Sequence, residues 1–545
     1  MDREDQRFRI LNIKWDGIFC HFIIEIENGQ ISDFYLVSKA GNALAKLKKK
    51  ELPNNGYDLS VNITNVGNNH CLPVGVCYLI AVYDGQTFQK GICREINTEW
   101  EKHFSYRNNS ESYEVKFGIS EKEILEICVA ETKRNTIKKS IKKLYQFIFR
   151  QLYRIDLIKN KHKTKKKKTI LFLTEQSIKL NRNLEIVQER LYERELQNKY
   201  EILTSARSSV AVKNYNLKSW STLFNKLSKA DMIILDDHVP FMDWLKISEH
   251  TQVIQLWHAG IGFKSTGYSR WGHKGSPAPF NCHRQYQYGI SGSLQTAHIF
   301  AEAFGIDESQ ILPTGLPRMD DFLDSAYQKV KQEELKELYP ICKGKKVILF
   351  APTYRGVNAS DAHYPYEKIN FDTLYDTCGQ EWIVLFKMHP WVRSAVPIPE
   401  KYKDKFLDVT KYSNINDFFY LTDLLISDYS SNIYEYSLLE KPCLFYAFDK
   451  TDYRRERGFH DDYEEQAPGK VCYTFEEIIQ AIETEDFERE KITAYCNRNF
   501  DHTEKGACDR VIDWIISGQL PQKYQARLDQ HKKEIQELKE MKFSM

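Results

Sequence analysis

Four polar clusters have the residue types to do chemistry, and each directly follows an apolar run with the length of a buried strand. His258 stands in Trp257-His258-Ala259-Gly260 after the run 253–256, and His389 in Lys387-Met388-His389-Pro390 after 383–386. Thr353 and Arg355 stand in Ala351-Pro352-Thr353-Tyr354-Arg355-Gly356 after 347–350, and Ser427-Asp428-Tyr429-Ser430-Ser431 follows 424–426. Thr314-Gly315-Leu316-Pro317-Arg318 adds a glycine turn and a cation. Arginine grips phosphate oxygens through two parallel N–H bonds, and a helix start offers phosphate its unpaired N–H groups. Histidine takes a proton from a hydroxyl near neutral pH. One strand-end histidine is ordinarily structural, and Ser430 and Ser431 by themselves read as helix caps. Two histidines, an arginine and a hydroxyl-rich helix start, all at strand ends in facing domains, converge on one ligand, and the set suits a diphosphate. The sequence has no G-x-x-x-x-G-K-[ST] loop, no G-x-G-x-x-G after a first strand and no G-x-S-x-G elbow. Those gaps argue against an ATPase, a dehydrogenase and an α/β-hydrolase.

The positioning elements follow from the pattern around these clusters. Residues 424–446, LLISDYSSNIYEYSLLEKPCLFY, read as a strand, a loop, an amphipathic helix through Ile433, Tyr434, Ser437 and Leu438, and a second strand after Lys441-Pro442. From Thr169 strand and helix patterns alternate, with strands at 169–173, 231–235, 253–257, 347–350, 382–386, 424–426 and 443–446 and a helix at 184–196. Alternation of this kind predicts parallel sheets covered by helices on both faces, with ligands at the strand ends. Before about residue 134 the pattern differs. Short strands at 8–13, 21–26, 59–63, 77–83 and 113–117 are separated by turn signals at Asn28-Gly29, Asn54-Asn55-Gly56 and Asp84-Gly85. They predict an antiparallel β-sandwich, which carries no acid, base or nucleophile constellation.

A chain of 545 residues is too long for one core. The organisation predicted is an N-terminal β-sandwich (1–136), a basic amphipathic linker helix (137–168), two doubly wound α/β domains (169–338 and 339–520) and a charged C-terminal surface helix (521–545). Hydrophobic content of 42% and charged content of 28% fit a soluble globular protein, and a net charge of +2 gives no argument for nucleic acid. The twelve cysteines form no C-x-x-C pair and read as reduced core thiols of a cytosolic protein. MDREDQRFRI lacks the apolar core of a signal peptide, and no apolar run approaches the ~20 residues of a membrane span. In the linker, Ile141, Leu144, Ile148, Leu152 and Ile155 fall on one helical face, followed by a lysine-rich run from Lys159 to Lys168. Two readings lead, a helix docked on the next domain or a helix lying on an anionic membrane surface, and nucleic acid is a poor third because no reading module accompanies the patch.

The stretches QLWHAGIGFKSTGYSR, TGLPRMDDF, ILFAPTYRG, FKMHP, DVTKYSNINDFFYLTDLLISDYSSNIYEYSLLEKP and RGFHDDYEEQAPG, taken in order, resemble the CDP-glycerol glycerophosphotransferases. These are teichoic-acid polymerases and primases, with CDP-ribitol-using relatives, and the resemblance covers roughly 169–514. It implies an α/β fold with a GT-B-like pair of Rossmann-type domains. It also implies transfer of glycerol phosphate or ribitol phosphate from a CDP-activated donor to a hydroxyl of a lipid-linked teichoic acid or capsule-type acceptor, releasing CMP. His258 matches the family's W-H histidine, the general base, and His389 its M-H histidine, a partner of the donor diphosphate. Thr353, Arg355, Ser427, Asp428, Ser430, Ser431, Gly315, Arg318, Arg457 and Gly458 fall on motifs of the donor side. Ala259-Gly260-Ile261 replaces the common G-T-P, and His460 stands where many relatives carry an aromatic residue. The resemblance fixes no cofactor, and a divalent cation such as Mg2+ stays open. Because the implied acceptor is lipid-linked, the expected location is peripheral, at the cytoplasmic face of the plasma membrane, on an anionic surface. The competing functions are a nucleotide-sugar glycosyltransferase of GT-B type and a non-catalytic membrane-associated adaptor.

Overall fold

The computed structural model describes residues 7–27, 31–67, 69–83, 87–107, 109–133, 137–161, 165–180, 182–208, 216–260, 262–273, 275–356 and 359–545, with no account of the side chains of 137–139, 161 and 182. The turns expected at Asn28-Gly29 and Asp84-Gly85, and Ile261, lie outside the described residues.

The N-terminal part forms two antiparallel sheets. Phe8–Asp16, Phe19–Ile26, Gly56–Asn62 and Lys48–Leu52 pair in that order in one, and seven strands between Ile31 and Thr132 make the other. Phe8, Phe22 and Ile24 of the first share one core with Phe34, Leu79, Tyr113 and Val115 of the second, the sandwich that the alternation predicts. Asn54 and Asn55 both take positive φ (59° and 56°) in the tight turn before Gly56, a conformation asparagine tolerates better than most residues.

Two parallel six-stranded sheets follow. In the first, Tyr200–Ala206, Lys168–Thr174, Met232–Leu235, Gln252–Gln255, Tyr288–Ile290 and Ile311–Leu312 lie in that spatial order. In the second, the order is Phe406–Asp408, Trp382–Phe386, Lys346–Phe350, Leu424–Ser427, Cys443–Tyr446 and Lys470–Cys472. Ile170 to Leu173 and Val347 to Phe350 are buried throughout, as strands covered on both faces must be. The short strands Tyr288–Ile290, Ile311–Leu312, Phe406–Asp408 and Lys470–Cys472 escape the pattern reading because they span two or three residues each. The helix predicted at 184–196 is Arg182–Glu193, followed by a 3-10 turn at Leu196–Asn198.

Residues 507–516 return from the second unit to the first. Arg190 and Arg194 hold Asp509 and Asp513 at 2.7–3.0 Å, and Val511, Ile512, Ile515 and Ile516 join one core with both sheets. The helix Gln522–Glu540, expected as a charged surface helix, is largely exposed, with only Tyr524 and Leu528 buried, and it also straps the sandwich to the first unit. Its Arg527 and His531 pair with Glu308 and Asp307, and beyond it Phe543 packs on Phe88 and Tyr35.

The linker is a helix, Ile137–Lys161, and it divides the two readings between its faces. Phe149 stacks on Trp220 with centroids 5.0 Å apart, and Tyr153 is buried against Phe224, so one side is docked. Ile141, Leu144, Ile148 and Ile155, however, are 42–60% exposed, and only Leu152 of the five-residue stripe packs on protein. Of the lysine run, Lys165 pairs with Asp231 at 2.9 Å and Lys167 donates to the Gln197 carbonyl, while His162, Lys163 and Thr164 are outside the described residues.

Candidate active site

In the first unit the strand Gln252–Gln255 ends at Trp257, whose φ of 53° lies in the left-handed region. That conformation costs a bulky L-residue about 1–2 kcal/mol, and polar groups hold it in place. The Trp257 N–H donates to Gln255 Oε1 (2.9 Å), and its carbonyl accepts from Asn183 Nδ2 (2.7 Å). The turn delivers His258 with its imidazole half-exposed and Nδ1 3.3 Å from Asp237 Oδ2. Asp237 follows the neighbouring strand Met232–Leu235. A carboxylate at Nδ1 keeps the proton there and leaves the Nε2 lone pair to act as a base.

Arg318 fixes the backbone of this turn. Its guanidinium donates to the His258 carbonyl and pairs with buried Glu435 of the second unit, while its N–H donates to Asn183 Oδ1 (3.0 Å). Arg318 thus has a clamping position rather than an open one. Gly315, with φ 79°, brings its Cα close to Ala507, whose Cβ would lie 3.2 Å from an added Cβ, so its packing partner is the returning segment.

In the second unit Asp428 is the hub. One carboxylate oxygen accepts the N–H groups of Thr353 (2.7 Å) and Tyr429 (2.6 Å), and the other accepts from Arg355 Nη1 (2.9 Å). Arg355 also makes a bidentate pair with Asp449 (2.6 and 3.0 Å) and donates to the Thr353 carbonyl. Tyr429, Phe448 and Tyr453 surround it with ring centroids 5.2–5.3 Å away. The expectation that Arg355 grips a phosphate therefore meets a guanidinium already committed to two carboxylates. Ser427 Oγ likewise donates to the Ala351 carbonyl. The helix expected after Ser431 is five residues long, Ile433–Ser437, with Asn432 at its N-cap and no side-chain cap; Ser430 Oγ accepts the Asn432 N–H (3.3 Å) and so caps no helical N–H. Ser430 and Ser431 remain partly exposed, and the Thr353 hydroxyl is buried without a hydrogen-bond partner among the described residues.

The units meet through their loops. Lys264 and Phe459 form an antiparallel bridge, with Ser265 N–H donating to the Gly458 carbonyl (3.1 Å) and His460 N–H to the Phe263 carbonyl (3.0 Å). Gly458 takes φ 70°, a conformation strained for other residues, and an added Cβ would press on Ser265 Oγ at 3.0 Å. Gly260 is tighter still: a Cβ would fall 2.1 Å from the Tyr434 ring. These contacts gather cations. Burial and the neighbouring Arg457, Arg355 and Arg270 bring the Lys264 ammonium down to about 8 against the pull of Asp428. Burial, then Lys264 and Lys387, push His389 down to about 4. Arg270 is depressed by burial and by Arg457. Cations that raise one another's energy in this way form a basin whose stabilising counterpart is an anion. His389 is neutral there, and its Nδ1 accepts the Trp391 N–H (3.1 Å), which leaves Nε2–H as a donor.

The sequence reading missed Asp237, Lys264, Arg270 and Trp271. The signal available was the pair of cations in FKSTGYSR directly after WHAG. Trp271 explains what the sandwich contributes: its ring lies 4.8 Å from both Phe104 and Tyr113 inside the N-terminal core, anchoring the loop that carries Lys264 and Arg270. His238, Asp243 and Cys282 place one potential metal-ligand atom each within 4.8 Å of one another. His238 and Asp243 already form an ion pair at 2.9 Å.

Residues 152–517 match the model of the family described as CDP-Glycerol:Poly(glycerophosphate) glycerophosphotransferase. The teichoic acid ribitol-phosphate polymerase TarL of Staphylococcus aureus is 38% identical over 67% of this chain and 65% of its own length. TarK of the same organism, also named a ribitol-phosphate polymerase, is 37% identical over 67% and 71%. The chain thus spans about two thirds of the length of these relatives. A solved structure of the wall teichoic acid polymerase TagF has the same fold, with a TM-score of 0.53 at 22% identity over 72% of this chain and 100% of that one. On the family match and these relatives, the chain belongs to the CDP-glycerol:poly(glycerophosphate) glycerophosphotransferase family.

Proposed function

We propose that this chain transfers a polyol phosphate from a CDP-activated donor to a hydroxyl of a lipid-linked teichoic acid-type acceptor, with CDP-ribitol the preferred donor because TarL and TarK are named ribitol-phosphate polymerases. The single observation that carries the chemistry is the cation basin of Lys264, Arg270, Arg457 and neutral His389 between two GT-B-like units, with His258 backed by Asp237. In this reading His258 Nε2 takes the proton of the acceptor hydroxyl, whose oxygen attacks the β-phosphorus. The bond to the α-phosphate oxygen breaks and CMP leaves. The basin neutralises the diphosphate, and His389 Nε2–H donates to it. Positioning and charge neutralisation carry phosphoryl transfer. Arg355 acts as a positioning residue that holds the Thr353 and Asp428 loops together. Incubation with CDP-ribitol, CDP-glycerol and UDP-sugars, read by CMP release and product mass, tests this. A mass increment of ribitol phosphate supports it, and UDP release with a hexose increment would replace it with a glycosyltransferase.

The same proposal places the protein peripherally on the cytoplasmic membrane face. Its support is the exposed stripe of Ile141, Leu144, Ile148 and Ile155, beside Lys142 and Lys143. Attraction to an anionic surface contributes roughly 1 kcal/mol per cation. Co-sedimentation with anionic vesicles should fall when Leu144 and Ile148 become Glu and should weaken with salt. Unchanged binding would assign the stripe elsewhere.

A further inference from the structure

No C-x-x-C pair marks a metal site in the sequence, yet the fold gathers three different donors from three separate segments. His238 comes from the loop after the strand Met232–Leu235, Asp243 from the 3-10 turn Pro240–Asp243, and Cys282 from the 3-10 turn Cys282–Gln285. Their donor atoms lie within 4.8 Å of one another, and no other group of three His, Cys, Asp or Glu side chains among the described residues does so. Two donors on one tetrahedral zinc stand roughly 3.5 Å apart, so movements of about an ångström seat an ion.

The groups behind the donors are already fixed, as outer partners of a metal site must be. Asp243 Oδ1 accepts the Cys282 N–H (3.0 Å) and pairs with His238 Nε2 (2.9 Å). The Cys282 sulfur lies 3.5 Å from Tyr286 Oη and 3.9 Å from His283 Nδ1. Tyr286 Oη is held in turn by Gln255 Nε2 and His283 Nδ1, each at 2.8 Å. Cys282 is fully buried, whereas the side chains of His238 and Asp243 are 34 and 35% exposed, so an ion has an entry path on their side and a water position left there. A divalent cation with one thiolate, one carboxylate and one neutral imidazole sums to zero charge, which a half-buried site holds without a further counter-ion. Sulfur and nitrogen donors favour an ion of the zinc type over magnesium or calcium, which take oxygen.

We infer that His238, Asp243 and Cys282 form a zinc site in which the ion takes the place of the direct His238–Asp243 bond. The ion ties two loops together. One carries Asp237, the partner of His258, directly before His238; the other carries His283, whose ring lies 6.0 Å from that of Trp257. The site is a staple for the turn that presents His258 and enters none of the transfer steps proposed above.

The test uses the full chain without donor or acceptor, stripped with a chelator and given Zn2+ alone, or Co2+ as its coloured substitute. One zinc per chain is expected to be held against a weak competing chelator and to raise the melting temperature, as a ligand of the folded state does. The cobalt form should show a thiolate-to-metal absorption band that is absent in Cys282→Ser. Zinc binding should weaken at least roughly tenfold in His238→Gln and in Asp243→Asn, no less than for the loss of an outer-shell partner. Asp243→Asn keeps an oxygen for the Cys282 N–H, so it serves if Cys282→Ser fails to fold. Failure to hold zinc, a cobalt band that persists in Cys282→Ser, or zinc affinity unchanged in the other two variants would overturn the inference.

Discussion

Asp236 and Asp428 occupy corresponding places in the two α/β units. Each follows the strand that lies beside its unit's first strand, where the strand order reverses and a crevice opens. Asp428 is saturated by two backbone N–H groups and Arg355, which lock the Thr353 and Tyr429 loops into one piece. Asp236 is equally buried but has no ion pair among the described residues; burial lifts it to about 7, helped by the charge of Asp237 and opposed by the Thr174 side chain. A buried carboxyl without a cation beside it costs stability when it ionises. The proposed reaction asks different things of the two sides. The half that receives a diphosphate is prearranged by internal ion pairs. The half that receives a hydroxyl keeps polar groups uncommitted.

The largest expected effect comes from the uncommitted half. Replacing His258 by Ala should lower kcat by roughly 10²–10⁴-fold, the range for losing a general acid or base. A folded variant with near-normal turnover would remove His258 from the chemistry. Arg355→Ala probes the prearranged half and should act mainly on stability. Removing it strands Asp428 and Asp449, which costs about 3–5 kcal/mol when a buried pair is broken, and urea unfolding reads that directly. A normal unfolding midpoint with a higher donor KM would return Arg355 to direct phosphate binding.

Asp236→Asn sharpens the contrast through pH. The native carboxyl keeps its proton to about 7, whereas an unfolded aspartate ionises near 3.9. Wild-type stability should therefore fall as pH rises from about 4 to 7, by on the order of 2–4 kcal/mol. The amide removes that loss, so the variant should be the more stable at pH 8 and equal at pH 4; the same gap at both would refute the assignment. The smallest effect is Lys264→Met, expected to raise donor KM about tenfold, as the loss of one charge-assisted contact would. Because the Lys264 ammonium titrates at about 8, wild-type donor KM should climb between pH 7 and 9 and the variant's should not. Parallel profiles would exclude Lys264 from the donor site.

Much of this architecture was legible in the sequence because buried parallel strands announce themselves: TILFL, VILF, IVLF and LLI all became strands. His258 and His389 were legible because they sit directly after such runs. The role of Arg355 was not, since the residue that occupies it, Asp449, lies 94 positions away and follows no motif. Lys264 and Arg270 were hidden by the length of their loop, and Trp271 by its membership in another domain's core. The linker helix was read correctly as amphipathic, but periodicity cannot tell which of two apolar faces meets protein. Phe149 and Tyr153 took that contact, leaving the stripe at 141–155 outside.

The contact of Phe543 with Tyr35 and Phe88, with Asn42 bridged to Lys542, has a kinetic meaning. It closes a loop of almost the entire polypeptide, and long-range closures of this kind form late and slow folding. This flank of the second sheet stays uncovered until residue 543 has left the ribosome. The contact therefore forms late, and substitutions at Phe543 should accelerate unfolding more than they retard refolding.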